Sequence, residues 1–180
     1  MASKMTLPPA GLAEDILTEI RDEPDEMQIV TFSLGEHYGI PISQVQEIIR
    51  VGNITMVPNS PPYMEGVINL RGRVLPVLNL RKRLMLPGKS VTKESRIVVT
   101  EVNSRTIGLL VDAVAHVMKV SSGLIEVAPE EVLEVNSDYI TGVCTLPNSL
   151  VILVNLEKLL RRENVDTVEG QETGAPGRGK

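Results

Sequence analysis

The sequence predicts a mainly β, all-β class fold of two small, similar barrels packed on each other, with a brief helix after each. Three observations predict it. Val, Ile and Leu dominate an apolar fraction of 42%, against one Phe and no Trp, and branched side chains favour pleated strands. Short apolar runs alternate with turn residues at regular spacing, the pattern of small sheets that remove their edges by closing. The chain also repeats itself, as a fold of two like units must.

The repeat sets the order of elements. At an offset of 69, Gly39 falls on Gly108, Ile42 on Val111, Val45 on Val114 and Ile48 on Val117. At an offset of 76, Tyr63 falls on Tyr139, Gly66 on Gly142, Val67 on Val143, Asn79 on Asn155, Leu80 on Leu156, Lys82 on Lys158 and Leu84 on Leu160. The change of offset places seven extra residues in the second copy, around the Pro-bearing acidic stretch Val127–Glu134. That composition suits a loop.

Four hairpins follow from the turn chemistry. Val30, Phe32 and Leu34 share one face of a strand, Gly35-Glu36 makes a turn, and Tyr38, Ile40 and Ile42 continue on the partner. A second hairpin runs from Gly66 to Leu78 with Arg71-Gly72 at its bend, where Gly72 supplies a positive φ. A third joins 97–102 to 106–111 through Asn103-Ser104, and a fourth joins 140–146 to 150–154 through Pro147-Asn148. Asn79 and Asn155 are natural N-caps for the short helix expected after each copy.

Outside the repeat lie two expected tails. Residues 1–26 carry seven acids against Lys4 and Arg21, with Leu12, Ile16 and Ile20 at helical spacing; residues 163–180 are Gly-rich and polar, which reads as flexible chain. The net charge of −5 gives no global basic footprint for nucleic acid. One cysteine, Cys144, cannot form an internal disulfide, no apolar leader opens the sequence, and no run is long enough to span a bilayer. A soluble, cytoplasmic protein is the expectation.

A search for an active site finds little. His37 is expected in a turn and reads as solvated, and His116 follows an apolar strand with no Cys or second His at ligand spacing, so neither reads as a ligand or general base. Cys144 lies in an apolar run and reads as core. Glu130, Glu131 and Glu134 read as a solvated loop face. No phosphate loop or nucleophile elbow is present. No catalytic residue, cofactor or metal is therefore expected, and the chain reads as a binding protein.

Two segments stand out as contact sites. In Val45-Gln46-Glu47-Ile48-Ile49, Ser43 is expected to cap a helical turn that puts Val45 and Ile48 on one face, either as core or as an apolar patch with Glu47 at its rim. In Asn69-Leu70-Arg71-Gly72-Arg73, the second copy has Thr145-Leu146-Pro147-Asn148-Ser149, so neither arginine is needed to make the hairpin. Arg71 is either a solvated tip or a fork for a partner's carboxylate. Arg81, Lys82 and Arg83 add local positive charge, and an SH3-like nucleic-acid-binding protein is the alternative they leave open.

These residues resemble the CheW-like domain family of bacterial chemotaxis. Tyr38-Gly39-Ile40-Pro41-Ile42 with Val45-Gln46-Glu47-Ile48 is similar to its opening signature, and Ile54–Pro61 with Gly66–Gly72 to its most distinctive block. Val74–Leu80, Gly108–Val114 and Tyr139–Gly142 fit in order, so the resemblance covers residues 27–162. It implies two five-stranded SH3-like barrels on a shared hydrophobic core, in a non-enzymatic adaptor. The implied partners are the cytoplasmic tips of chemoreceptors and the regulatory, CheW-like domain of the histidine kinase CheA, with no nucleic acid and no membrane insertion. The resemblance further implies recruitment to membrane-associated receptor arrays and a free state that is monomeric. It assigns receptor and kinase contacts to Val45, Glu47, Ile48, Gly66 and Arg71, and a coupling or packing role to Gly108, Val114 and Val117. No kinase ATP site or receiver phosphorylation pocket accompanies the domain, so a free-standing adaptor is the form expected.

Overall fold

The computed structural model describes residues 25–129 and 137–161. The expected tails therefore lie almost wholly outside the described residues, as do Glu130, Glu131 and Glu134. All four hairpins form. Strand β1 (Glu26–Leu34) turns into β2 (Glu36–Pro41), β4 (Met64–Leu70) into β5 (Arg73–Asn79), β6 (Arg96–Val102) into β7 (Arg105–Val111), and β10 (Ile140–Leu146) into β11 (Ser149–Val154). Between them run β3 (Val45–Arg50), β8 (Ala113–Ser121) and the two-residue β9 (Ile125–Glu126). Helices α1 (Leu80–Arg83) and α2 (Leu156–Leu159) are one turn each, and the side chains of Asn79 and Asn155 cap them by accepting from the N–H groups of Lys82 and Lys158.

The strands form two sheets, one ordered β8-β1-β2-β11-β10-β9 and the other β3-β6-β7-β5-β4. The two sequence copies, β1–β5 and β6–β11, do not each build a barrel. They exchange hairpins. A middle barrel takes β3, β4 and β5 from the first copy and β6 and β7 from the second. An end barrel takes β1 and β2 from the first and β8–β11 from the second. The joints are two parallel pairings at matching places, β5 with β7 (Val77 opposite Gly108) and β11 with β2 (Leu153 opposite Gly39). Each barrel closes in the same way. The chain leaving β3 returns at Thr55 to exchange 2.8 Å backbone bonds with Val67, and the chain leaving β8 returns as β9 to pair with β10.

Alternation along the strands assigns the side chains to three cores. Ile68, Leu75, Val77, Ile97, Val99 and Leu110 fill the middle barrel, and Ile29, Val120, Cys144, Val151 and Leu153 fill the end barrel. The largest core lies between them, where Val30, Phe32, Leu34 and Ile40 meet Leu78, Val98, Ile107 and Leu109, plugged by Leu80, Leu156 and Leu159 of the two helices. β6 is thus buried on both faces, with Ile97 and Val99 to one core and Val98 and Val102 to another.

Two polar features hold the crossing between barrels. The chain passes from β7 to β8 at Asp112, whose N–H donates to the Ser33 carbonyl at 3.1 Å. Its carboxylate takes a fork from Arg81 of α1, with the closest approach at 2.7 Å and both side chains only 12% exposed, and Lys89 stands at 3.6 Å. Burial pushes the Asp112 carboxyl up, but the Arg81 hydrogen bonds and charge together with Lys89 outweigh it, and the net shift is downward. Arg81 also donates to the Pro87 carbonyl at 2.7 Å, which ties down the loop after α1.

A carboxyl whose folded pKa is depressed stabilises the fold above its unfolded pKa of about 4 and ceases to do so as pH falls through the folded value. Unfolding midpoints measured across the acid range should therefore fall steeply below about pH 4. Asp112→Asn should be less stable than the parent at neutral pH and should lose less on acidification. An acid limb of unchanged steepness in that variant would contradict the assignment.

Gly66 gives a second expectation. It has φ +149°, and a Cβ there would stand 2.2 Å from the Thr55 carbonyl oxygen, part of the barrel closure. Backbone cannot yield as a side-chain tip can, so Gly66→Ala should cost about 2 kcal/mol or more in denaturant unfolding. Gly88, with open space around it, should tolerate Ala with little change.

Candidate protein-binding site

The segment expected to make a helical turn is a strand. A single 3-10 turn at Ile42–Gln44 has no side-chain cap, so Ser43 does not cap it, and Ile42 lies in this turn rather than on β2. From Val45 the chain is β3, paired with β6, with a bulge between Val45 and Glu47. Val45, Glu47 and Ile49 are half-buried, whereas Gln46, Ile48 and Arg50 are exposed. Val45 and Ile48 therefore do not share a helical face. Val45 packs at the margin of the shared core, and Ile48, 39% exposed, faces solvent.

Arg71 also differs from expectation. It is not a free fork. At the β4–β5 bend both Arg71 (φ 53°) and Gly72 (φ 83°) are left-handed, the conformation a two-residue turn matched to strand twist requires. A non-glycine residue there is uncommon. Arg71 reaches across the barrel seam to β3 and grips both oxygens of Glu47 at 2.6 and 2.7 Å. This hydrogen-bonded pair lowers the Glu47 carboxyl pKa and raises that of Arg71. The arginine side chain remains 70% exposed and Glu47 29%, so solvent screens the pair and it contributes little to stability. Its main effect is to hold a guanidinium in one orientation at the surface.

Around the pair lies a groove of about 320 Å³ lined by Gln46, Glu47, Arg71, Arg73, Val74 and Ser104 among others. Val74 is 74% exposed there. The groove combines an exposed apolar side chain with oriented charges, the composition of a protein contact rather than of a reaction centre. The second copy lacks the pair: His116 stands where Glu47 does, and Pro147 where Arg71 does. Sequence reading singled out Glu47 and Arg71 separately and missed their pairing as well as Val74.

The other expected residues fall elsewhere. Gly66 is buried beneath Thr55, and Gly108 is buried with a would-be Cβ 2.6 Å from the Ile97 Cγ2 atom. Neither lies at the surface. Val114 packs at the margin of the shared core, opposite Phe32 on β1, and Val117 is 49% exposed on β8. The His116 ring is exposed; its backbone is held by the Thr31 hydroxyl, which donates to the His116 carbonyl at 2.9 Å. His37 lies on β2, exposed, rather than in a turn. Cys144 is fully buried, and burial pushes its thiol pKa up, which makes it a poor nucleophile. The cations of α1 make no open basic patch: Arg81 holds Asp112, Lys82 stands 3.4 Å from Glu65, and Arg83 lies between two tyrosine rings.

The family model of the CheW-like domain matches residues 28–164. The chain belongs to the CheW-like family. A chemotaxis protein CheW of Klebsiella aerogenes is 34% identical over 161 residues, covering 89% of this chain and 96% of that protein. One of Bacillus subtilis is 37% identical over 77% of this chain and 89% of its own length. In structure, the CheW-like fold described above is similar to the scaffolding protein TtCheW of Thermoanaerobacter tengcongensis, with a TM-score of 0.71 and 34% identity over 76% of this chain and 89% of that one. These likenesses identify a CheW-like scaffold protein of chemotaxis and the two-barrel fold. Among the described residues, no helix is long and apolar enough to cross a membrane.

The Glu47–Arg71 pair has a direct signature. In an NMR titration of side-chain carboxyls, Glu47 should titrate below the ordinary glutamate range of about 4.3 and return toward it in Arg71→Ala. A Glu47 value indifferent to Arg71 would show that the pair does not persist in solution.

Proposed function

We propose that the chain is a non-enzymatic adaptor that couples the cytoplasmic tips of chemoreceptors to the regulatory domain of the histidine kinase CheA. It works in the cytoplasm, is monomeric when free, and is drawn to receptor arrays by its partners. Membership of a scaffold family supports this reading, and one feature of the site carries it. The exposed, pre-oriented Glu47–Arg71 pair over a groove is added to a scaffold whose other copy folds without it. A guanidinium already held in place loses less freedom on binding than a free one. Val45, Glu47, Ile48 and Arg71 form the proposed contact surface, with Gly66 beneath shaping the hairpin that carries Arg71. Gly108, Val114 and Val117 act through packing and through the end-barrel face.

Arg71→Ala should leave the denaturation curve nearly unchanged, because the residue is exposed and screened. The same change should weaken assembly with a receptor cytoplasmic fragment and the kinase regulatory domain by roughly tenfold or more, as at a binding hot spot. Arg71→Lys should restore part of the affinity, since an ammonium keeps the charge and loses the two-pronged geometry. Arg73→Ala should have a smaller effect. Unchanged assembly in Arg71→Ala would remove this residue from the interface, and weak assembly matched by a destabilised fold would make it structural.

A further inference from the structure

Tyr63 and Tyr139 hold matching places in the two copies. Each precedes the fourth main strand of its copy, and each carbonyl accepts a 2.7 Å bond from the asparagine that caps the following helix, Asn79 or Asn155. Between their rings lies a single guanidinium. The Arg83 Cζ atom is 4.5 Å from the Tyr63 ring centre and 4.8 Å from that of Tyr139. Arg83 also donates to the Leu159 carbonyl at 2.7 Å and the Arg161 carbonyl at 3.2 Å, at the end of α2. The second copy has the buried Leu159 where the first has Arg83. One asymmetric cation thus joins both copies at the seam between the barrels.

Away from the Asp112 contacts at the chain crossing, the core between the barrels is apolar. Such burial is non-directional, and packed layers can shear by small slides without losing much of it. A planar cation over two rings with two carbonyl acceptors is directional: sliding either barrel breaks a cation–ring contact or a hydrogen bond. We propose that Arg83 is a positioning residue that fixes the angle between the two barrels, so that a partner on one barrel face is presented at a set orientation to a partner on the other. The orientation of partners rests on the adaptor reading above; the fixing of the angle does not.

The test uses the full chain with spin labels on Glu101→Cys in β6 and Lys119→Cys in β8, both exposed and one on each barrel. The buried Cys144 stays unlabelled. The unaltered contact should give one narrow inter-label distance. Arg83→Met should broaden or shift it, Tyr139→Leu and Tyr63→Leu should do the same, and Arg83→Lys should lie between, because it keeps the charge without the planar stack. A distribution in the tyrosine and arginine variants that matches the parent overturns the proposal. So does broadening seen only where circular dichroism shows lost β structure. In binding assays on the same variants, affinities for the receptor fragment alone and for the kinase regulatory domain alone should hold, while affinity for one in the presence of the other falls roughly fivefold. If the parent binds neither, the adaptor reading fails, and the distance measurement still decides the role of Arg83.

Discussion

Neither sequence copy of this chain closes a barrel by itself, and most of the structure follows from that constraint. The β1–β2 hairpin of the first copy pairs with β8 and β11 of the second, and the β6–β7 hairpin of the second pairs with β3 and β5 of the first. The parallel joints place Gly39 and Gly108 opposite Leu153 and Val77. The chain must cross between barrels twice, at Ile42–Gln44 and at Asp112, and β1, β6 and β7 each send side chains into two cores. The largest apolar core therefore lies between the barrels rather than inside either. Non-local pairing of this kind is expected to fold slowly, but once formed it gives a body in which the two sequence copies cannot part without breaking strand pairs.

A scaffold benefits from such a body. Two partners held on it are placed by its geometry, and a change in one can bias the other only if the support between them does not give way. The matching strand order of the two copies also leaves two related outer faces with different chemistry. The middle barrel presents Glu47 and Arg71, the end barrel His116 and Pro147 at the same places, while the exposed apolar positions Ile48 and Val74 are matched by Val117 and Leu150. A shared frame with unlike faces suits unlike partners.

Much of this was legible in the sequence because it is local. Gly35, Asn103-Ser104 and Arg71-Gly72 mark turns by their own backbone demands, and Asn79 and Asn155 cap the helices that follow them by accepting from an N–H three residues on. What was not legible is long-range. Val45 and Ile48, three apart after a Ser, fit a helical turn as well as a strand; the partner that decides for a strand, β6, lies about fifty residues on, where Glu47 meets Val99. The Glu47–Arg71 pair joins strands at opposite edges of one sheet, so it depends on closure of the barrel. The exchange of hairpins leaves the repeat unchanged in sequence and shows only in the strand order. The match of Tyr63 with Tyr139 was visible, but Arg83 between them needed the shared core to bring the copies together.

The proposed role requires that the chain carry both partners at once. Sedimentation velocity of the full-length chain with a receptor cytoplasmic fragment and the kinase regulatory domain, each in excess, measures this directly. A complex containing all three components is the expected result. Two binary complexes that exclude each other, with no ternary species at any ratio, would contradict it.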